Sequence, residues 1–246
     1  VTVLGRPLLT AHLATTARAI ADLGGNIDRI RRLSRTPLTT VELWVSKVDA
    51  AQLRPALAQA AASAGFDVSV SAAGLARLGR RLVVMDVDST LIQDEVIDLI
   101  AAHAGRQAEV AAITESAMRG ELDFAESLRR RVASLAGLPV GVLDEVRAAV
   151  RLTPGARTLV ATLRDLGLSI GVVSGGFIEV VAPLAAELGI TYARANELEV
   201  ADGRLTGRIA GPIIDRAAKA ATLREWAEAE HLPLARTIAI GDGAND

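Results

Sequence analysis

The 246 residues include no cysteine, which excludes disulfides, Cys-zinc sites and thiol catalysis. Aromatic residues make up 2% of the chain. The basic group Arg29, Arg31, Arg32 and Arg35 therefore has no stacking platform beside it, and it reads as a solvated strand face, not a nucleic-acid surface. The three histidines, His12, His103 and His231, lie far apart and match no H-E-x-x-H pattern, so they read as structural or surface residues. No G-x-x-x-x-G-K-[ST] phosphate loop occurs. The longest stretch without a charge, Leu166 to Ile178, is 13 residues, too short to span a bilayer. No signal peptide is expected ahead of the first domain. With half the residues hydrophobic and a net charge of -2, the expectation is a soluble, cytoplasmic globular protein with no nucleic-acid or membrane partner. Charge is uneven along it: residues 1–78 hold nine Lys/Arg against five Asp/Glu, and the remainder 18 against 24.

What remains for chemistry is mainly Asp, Glu, Lys and Ser, and these gather after one stretch. Leu82-Val83-Val84-Met85 reads as a strand buried on both faces of a parallel sheet. It runs directly into Asp86, Val87, Asp88, Ser89 and Thr90, and the carboxyl ends of strands are where open α/β sheets bind ligands. Alone, such a sequence serves equally well as a turn or helix cap. A calcium loop is excluded, because Gly at position six and Glu at position twelve are replaced by Leu91 and Ile97.

Ahead of that strand, a short strand from Val1 to Gly5, a helix from Leu8 to Leu23, strands at 26–35 and 39–48, a helix from Asp49 to Ala64 and a closing strand from Phe66 to Val70 give the order βαββαβ. That is a ferredoxin-like unit. Residues 71–80 are small and basic, a linker by composition. Beyond the central strand, residues 92–150 carry helical periodicity only, as an insert would. The α/β alternation resumes with a helix at 155–166 and a strand Leu168–Val173 ending at Ser174-Gly175-Gly176. A helix at 177–188, a short strand Ile190–Ala193 and a hairpin of two short strands about Asp202-Gly203 follow. A helix at 216–230 and a strand Thr237–Ile240 lead to Gly241-Asp242-Gly243-Ala244-Asn245-Asp246. The expected architecture is a doubly wound, Rossmann-like parallel sheet with a helical cap insert, preceded by the ferredoxin-like module.

Three strand ends thus carry polar residues: Asp86 and Asp88, Ser174 and Gly175, Asp242 and Asp246. Carboxylates gathered at one crevice repel, by roughly 4 kcal/mol per pair about 4 Å apart at an effective dielectric of 20. A bound cation relieves this. An all-oxygen set with room for phosphate and water suits Mg²⁺, held by Asp86, Asp88 and Asp242. Ser174, the Gly175 amide and Lys219 are then donors to phosphoryl oxygens. Asp86 becomes a nucleophile toward phosphorus, and Asp88 the acid for the leaving alcohol and the base for water.

D-V-D-S-T, S-G-G, Lys219 and G-D-G-A-N-D, in that order, resemble the four motifs of the haloacid dehalogenase superfamily of aspartate-nucleophile phosphatases. The resemblance covers about 79–246, with the cap at about 92–152, and its second Asp marks the phosphatases and mutases. It further implies Asn245 on the substrate side and Asp246 in support. Glu95, nine residues after Asp86, and Arg131, forty-five after it, resemble the cap residues that the phosphoserine phosphatase family presents to the substrate's ammonium and carboxylate. Met118 and Phe124 match the apolar side of that family's pocket. Residues 1–75, through V-T-V-L-G and G-G-N-I-D, resemble an ACT domain, the module that binds amino acids at dimer interfaces.

The implied activity is Mg²⁺-dependent hydrolysis of O-phosphoserine through an aspartyl-phosphate, the last step of serine biosynthesis. The implied assembly is a homodimer, with L-serine as effector near Gly5 and Gly25. Two alternatives stand beside it: a phosphatase or phosphotransferase acting on another small phosphomonoester or on phosphoproteins, and a regulatory amino-acid-binding protein with a vestigial catalytic half. The start at Val1 and the stop after a strand suggest a fragment of a longer protein.

Overall fold

The computed structural model describes residues 1–73, 79 and 81–243, with Met118 described by its backbone alone. The chain divides into two compact units, Val1–Gly79 and Arg80–Asp246.

The first unit runs β1 (Thr2–Gly5), α1 (Thr10–Asp22), β2 (Asn26–Ser34), β3 (Thr39–Ser46), α2 (Ala50–Ala64) and β4 (Asp67–Ser69). Its antiparallel sheet has the order β2-β3-β1-β4, as the βαββαβ pattern requires. Inward residues of β1 and β3, Val3, Val41 and Leu43, pack on Ile20, Leu53 and Leu57 of the two helices. His12 belongs to this packing: it is buried, stacks on Phe66 at 5.0 Å, and its Nδ1 accepts the Leu9 N–H. Arg29, Arg31 and Arg32 lie exposed on the edge strand β2, the solvated face expected of them. Gly5 and Gly25 serve close packing within the unit. A Cβ on Gly5 would lie 2.9 Å from Leu8 Cα, and one on Gly25 would lie 2.6 Å from Val48 Cγ1.

The second unit is built on β5 (Leu82–Met85), β6 (Ser169–Phe177), β7 (Tyr192–Ala201), β8 (Arg204–Ala210) and β9 (Thr237–Ile240), in the order β8-β7-β6-β5-β9. All are parallel except β8, which returns along β7 as a hairpin. The chain advances from β5 through β6 to β7 and then places β9 on the other side of β5. This makes the carboxyl ends of β5 and β9 the switch point where such sheets form a crevice. β5 is buried on both faces. Val83 and Met85 join the larger core with Ile97, Leu128 and Ile170, while Leu82 and Val84 pack against Val173 and Trp226. Gly171 on β6 admits that indole, since a Cβ there would sit 2.5 Å from Trp226 Cζ3.

Helices α7 (Ala156–Asp165), α8 (Ile178–Leu188) and α9 (Arg216–Ala229) connect or flank these strands. Between β5 and α7 comes the all-helical cap of α3 (Val96–His103), α4 (Gln107–Met118), α5 (Phe124–Ala133) and α6 (Val142–Ala149). Its two chain crossings are stitched into a short antiparallel ribbon. Ile92 bridges Leu152, the Gln93 N–H donates to Arg151 O at 2.9 Å, and the Thr153 N–H donates to Leu91 O at 3.0 Å. The buried Asp94 carboxylate clamps this ribbon, accepting the Arg151 backbone N–H at 2.8 Å and its guanidinium Nη2 at 2.6 Å. A second attachment joins the cap to the β7–β8 hairpin, where the Gly137 N–H donates to Leu205 O and the Leu205 N–H to Leu138 O.

Two expectations change. β6 does not stop at Ser174 but continues to Phe177. The register places Val173 opposite Arg194 and Phe177 opposite Asn196, so Ser174, Gly175 and Gly176 bulge against the single residue Ala195. The short strand at 190–193 and the first strand of the hairpin are one continuous strand, β7. Its inner half pairs with β6 and its outer half with β8. Most of the linker at 71–80 lies outside the described residues.

Candidate active site

Asp86 ends β5. Its backbone N–H donates to Ile240 O at 2.9 Å, fixing the residue between β5 and β9. Its Oδ1, buried, accepts from Lys219 Nζ at 2.8 Å, and Lys219 is buried too. The lysine is delivered by the first turns of α9, where Asp215 caps the helix by accepting the Ala218 N–H at 2.8 Å. The mutual attraction of a buried pair of this kind offsets part of the hydration each ion loses, and removing one partner is costly.

The chain then turns through Ser89, held at φ 54, the left-handed region that few side chains other than glycine's hydrogen favour. This turn brings Asp88 back against two donors. Its Oδ1 accepts the Val96 N–H at the start of α3 and its Oδ2 the Ser174 hydroxyl, each at 2.8 Å. Ser174 Oγ in turn accepts the Gly176 N–H at 2.7 Å. Burial pushes the Asp88 carboxyl up despite these bonds, so it retains a proton more readily than an ordinary aspartate. Gly176 has no room for a side chain, since a Cβ would lie 2.7 Å from Asp88 Oδ2.

Asn196, on β7, carried no signal in the sequence. It is 1% exposed. Its Nδ2 donates to Gly175 O at 2.8 Å and Gly176 O at 3.3 Å, and its Oδ1 accepts the Ile214 N–H at 2.8 Å.

On the cap side, Glu95 Oε1 accepts the Ser89 hydroxyl at 2.8 Å. Burial, then the neighbouring Asp88, pushes the Glu95 carboxyl up. Arg131 is half-buried, burial draws its guanidinium down, and its Nε is buried with no hydrogen-bond partner. Phe124, 43% exposed, sits with its ring 3.1 Å from where a Gly175 Cβ would stand.

These groups surround one cavity of about 740 Å³, lined among others by Asp86, Asp88, Glu95, Phe124, Arg131, Gly175, Lys219 and Asp242. Ser174 is not in the lining: it is fully buried behind the wall and its hydroxyl is directed to Asp88. Asn245, Asp246 and the Met118 side chain lie outside the described residues. Among the described residues no cluster of three or more His, Cys, Asp or Glu forms a self-sufficient metal cage. Asp86 and Asp242 do face the same cavity. Two carboxylates with space for water and phosphate oxygens fit a hard cation that keeps several waters. The Asp88 carboxylate is occupied by its two donors.

Residues 83–246 match the haloacid dehalogenase-like hydrolase family, and residues 1–88 match the ACT domain. The chain belongs to the haloacid dehalogenase-like hydrolases. It is similar to the phosphoserine phosphatase of Streptomyces coelicolor, 60% identical over 246 residues that make up 100% of this chain and 60% of that protein. The chain therefore spans less than two thirds of that relative's length. The phosphoserine phosphatase of Streptococcus thermophilus is 54% identical over 165 residues, 67% of this chain and 77% of that one. A solved phospho-aspartyl intermediate analogue of phosphoserine phosphatase superposes with a TM-score of 0.64 at 42% identity, over 68% of this chain and 80% of that one.

Proposed function

We propose that the chain carries a phosphoserine phosphatase, hydrolysing O-phospho-L-serine to serine and phosphate. A single observation carries the reading. A buried, lysine-paired aspartate and an arginine with an unpartnered buried nitrogen line the same cavity. Asp86, paired with Lys219, attacks phosphorus and forms an aspartyl-phosphate as the P–O bond to serine breaks. Asp88, pushed up by burial, gives its proton to the departing serine oxygen. It then takes one from the water that attacks phosphorus, releasing phosphate and restoring Asp86. Lys219 and the Gly175 amide hold phosphoryl oxygens, while Glu95 takes the substrate ammonium and Arg131 its carboxylate. Mg²⁺, held by Asp86 and Asp242, would offset charge between the nucleophile and the phosphoryl group. Asn245 and Asp246 complete the set as substrate-side and supporting residues.

A phosphate-release screen over small phosphomonoesters, with and without Mg²⁺, tests this. Phosphoserine should be preferred and the cation required. A better substrate without an ammonium and a carboxylate would sink the assignment. For the first unit, the reading extends to an ACT-mediated homodimer responsive to L-serine. Sedimentation with and without serine should give a dimer, and a monomer in both would reject it.

A further inference from the structure

The bulge in β6 creates a problem that the fold has to solve. Three residues, Ser174 to Gly176, stand opposite one on β7, so the carbonyls of Gly175 and Gly176 lose their places in the ladder although Gly176 is buried. Buried backbone carbonyls without a partner are costly. The Asn196 amide supplies what the ladder cannot, with Nδ2 donating to both carbonyls. The peptide between Gly175 and Gly176 is then pinned at both ends, its oxygen on Asn196 and its N–H on Ser174 Oγ, and that hydroxyl continues to Asp88. The other end of the same amide reaches a different segment: Asn196 Oδ1 takes the Ile214 N–H, one residue before the Asp215 cap that starts the helix of Lys219.

We propose that Asn196 is a positioning residue that couples the glycine wall at Gly175–Gly176 to the start of the Lys219 helix, so that both sides of the phosphate-holding face keep one fixed spacing. This rests on the proposed phosphatase activity. Asn196 itself does not line the cavity, so it acts through Gly175, Gly176, Ser174 and Lys219. Asn196→Asp keeps the shape and the bond to Ile214 but sets a carboxylate oxygen against the two glycine carbonyls.

The expected result is a fall of about 100-fold in kcat/KM, the scale on which small misplacements act. It should be equal on phosphoserine and on p-nitrophenyl phosphate, because the cap contacts are untouched, and it should come with weaker competitive inhibition by inorganic phosphate. A role confined to stability would lower Tm while leaving kcat/KM of the folded enzyme and the phosphate inhibition constant unchanged, and that outcome overturns the proposal. So does a loss confined to phosphoserine. Amide hydrogen exchange on the unaltered protein gives a second test independent of any variant. The Ile214 and Gly176 amides should be protected well beyond those of exposed loops, and exchange at loop rates would overturn the pinning. If the unaltered protein hydrolyses neither substrate, the phosphatase reading fails. The exchange result still decides the pinning in that case.

Discussion

On the sheet side of the cavity Asp86, Asp88 and Ser174 each have a hydrogen-bond partner at 2.8 Å. On the helical side Arg131 keeps a buried Nε without one, and Phe124 remains 43% exposed. The difference follows from what each side does in the absence of substrate. Asp86 and Lys219 attract each other as a buried pair and Asp88 accepts two hydrogen bonds, and desolvated charges of this kind are stable only as a completed network. Under the proposed activity Glu95 and Arg131 would meet a ligand's ammonium and carboxylate, and the carboxylate would supply the partner that Arg131 Nε does not have in the protein. On the proposed activity the sheet side is therefore pre-organised for chemistry, and the helical side is specialised for choice.

Breaking the sheet side should have the larger effects. Asp86→Asn removes the nucleophilic charge while keeping the shape, and turnover should fall by at least about 10⁴-fold with phosphoserine still bound. Turnover near the unaltered rate would place the nucleophile elsewhere. Lys219→Met strands a buried carboxylate, and denaturant unfolding should report a loss on the order of 3–5 kcal/mol. An unchanged midpoint would mean that solvent already screens Asp86.

The cap side should respond selectively. Arg131→Lys cannot reproduce a two-pronged carboxylate match, so kcat/KM for phosphoserine should drop by about 10–100-fold and that for p-nitrophenyl phosphate hardly at all. Equal losses would assign Arg131 to general catalysis or stability. The smallest effect concerns Glu95. Its folded carboxyl is pushed above its ordinary value, so the folded state binds the proton more tightly. Stability then falls as pH rises from the ordinary carboxylate range through the folded value. Glu95→Gln should accordingly raise Tm by a few degrees at pH 7, and the gain should vanish as pH falls into the ordinary carboxylate range. A gain that is the same at every pH would trace it to packing.

Much of this arrangement was legible in the residues. The apolar run Leu82–Met85 followed by Asp86 and Asp88 points to a buried strand with polar residues at its carboxyl end, and the structure has a buried β5 with both aspartates lining a cavity. Glu95, Phe124, Arg131, Lys219 and Asp242 share the cavity wall, although up to 147 positions separate them. The bulge was hidden, because Ser174-Gly175-Gly176 resembles the end of a strand and only pairing with β7 shows that the strand goes on. Asn196 was hidden for the same reason. An isolated asparagine between Ala195 and Glu197 has no periodicity of its own, and its value comes from two carbonyls and an N–H supplied by distant segments. Ser174 looked like a ligand donor, yet its hydroxyl direction depends on where the turn at Ser89 returns Asp88.

The ribbon in which Ile92 bridges Leu152 has a consequence for how such an enzyme changes over evolutionary time. Entry and exit of the cap lie side by side, clamped by Asp94 and Arg151. Segments whose ends meet can be lengthened, shortened or exchanged at small entropic cost to the host fold. A change between positions 92 and 152 thus leaves the chain path of the sheet unaltered at this ribbon, provided the second attachment at the β7–β8 hairpin is kept. Graft points at this ribbon would let a new specificity be mounted on unaltered chemistry.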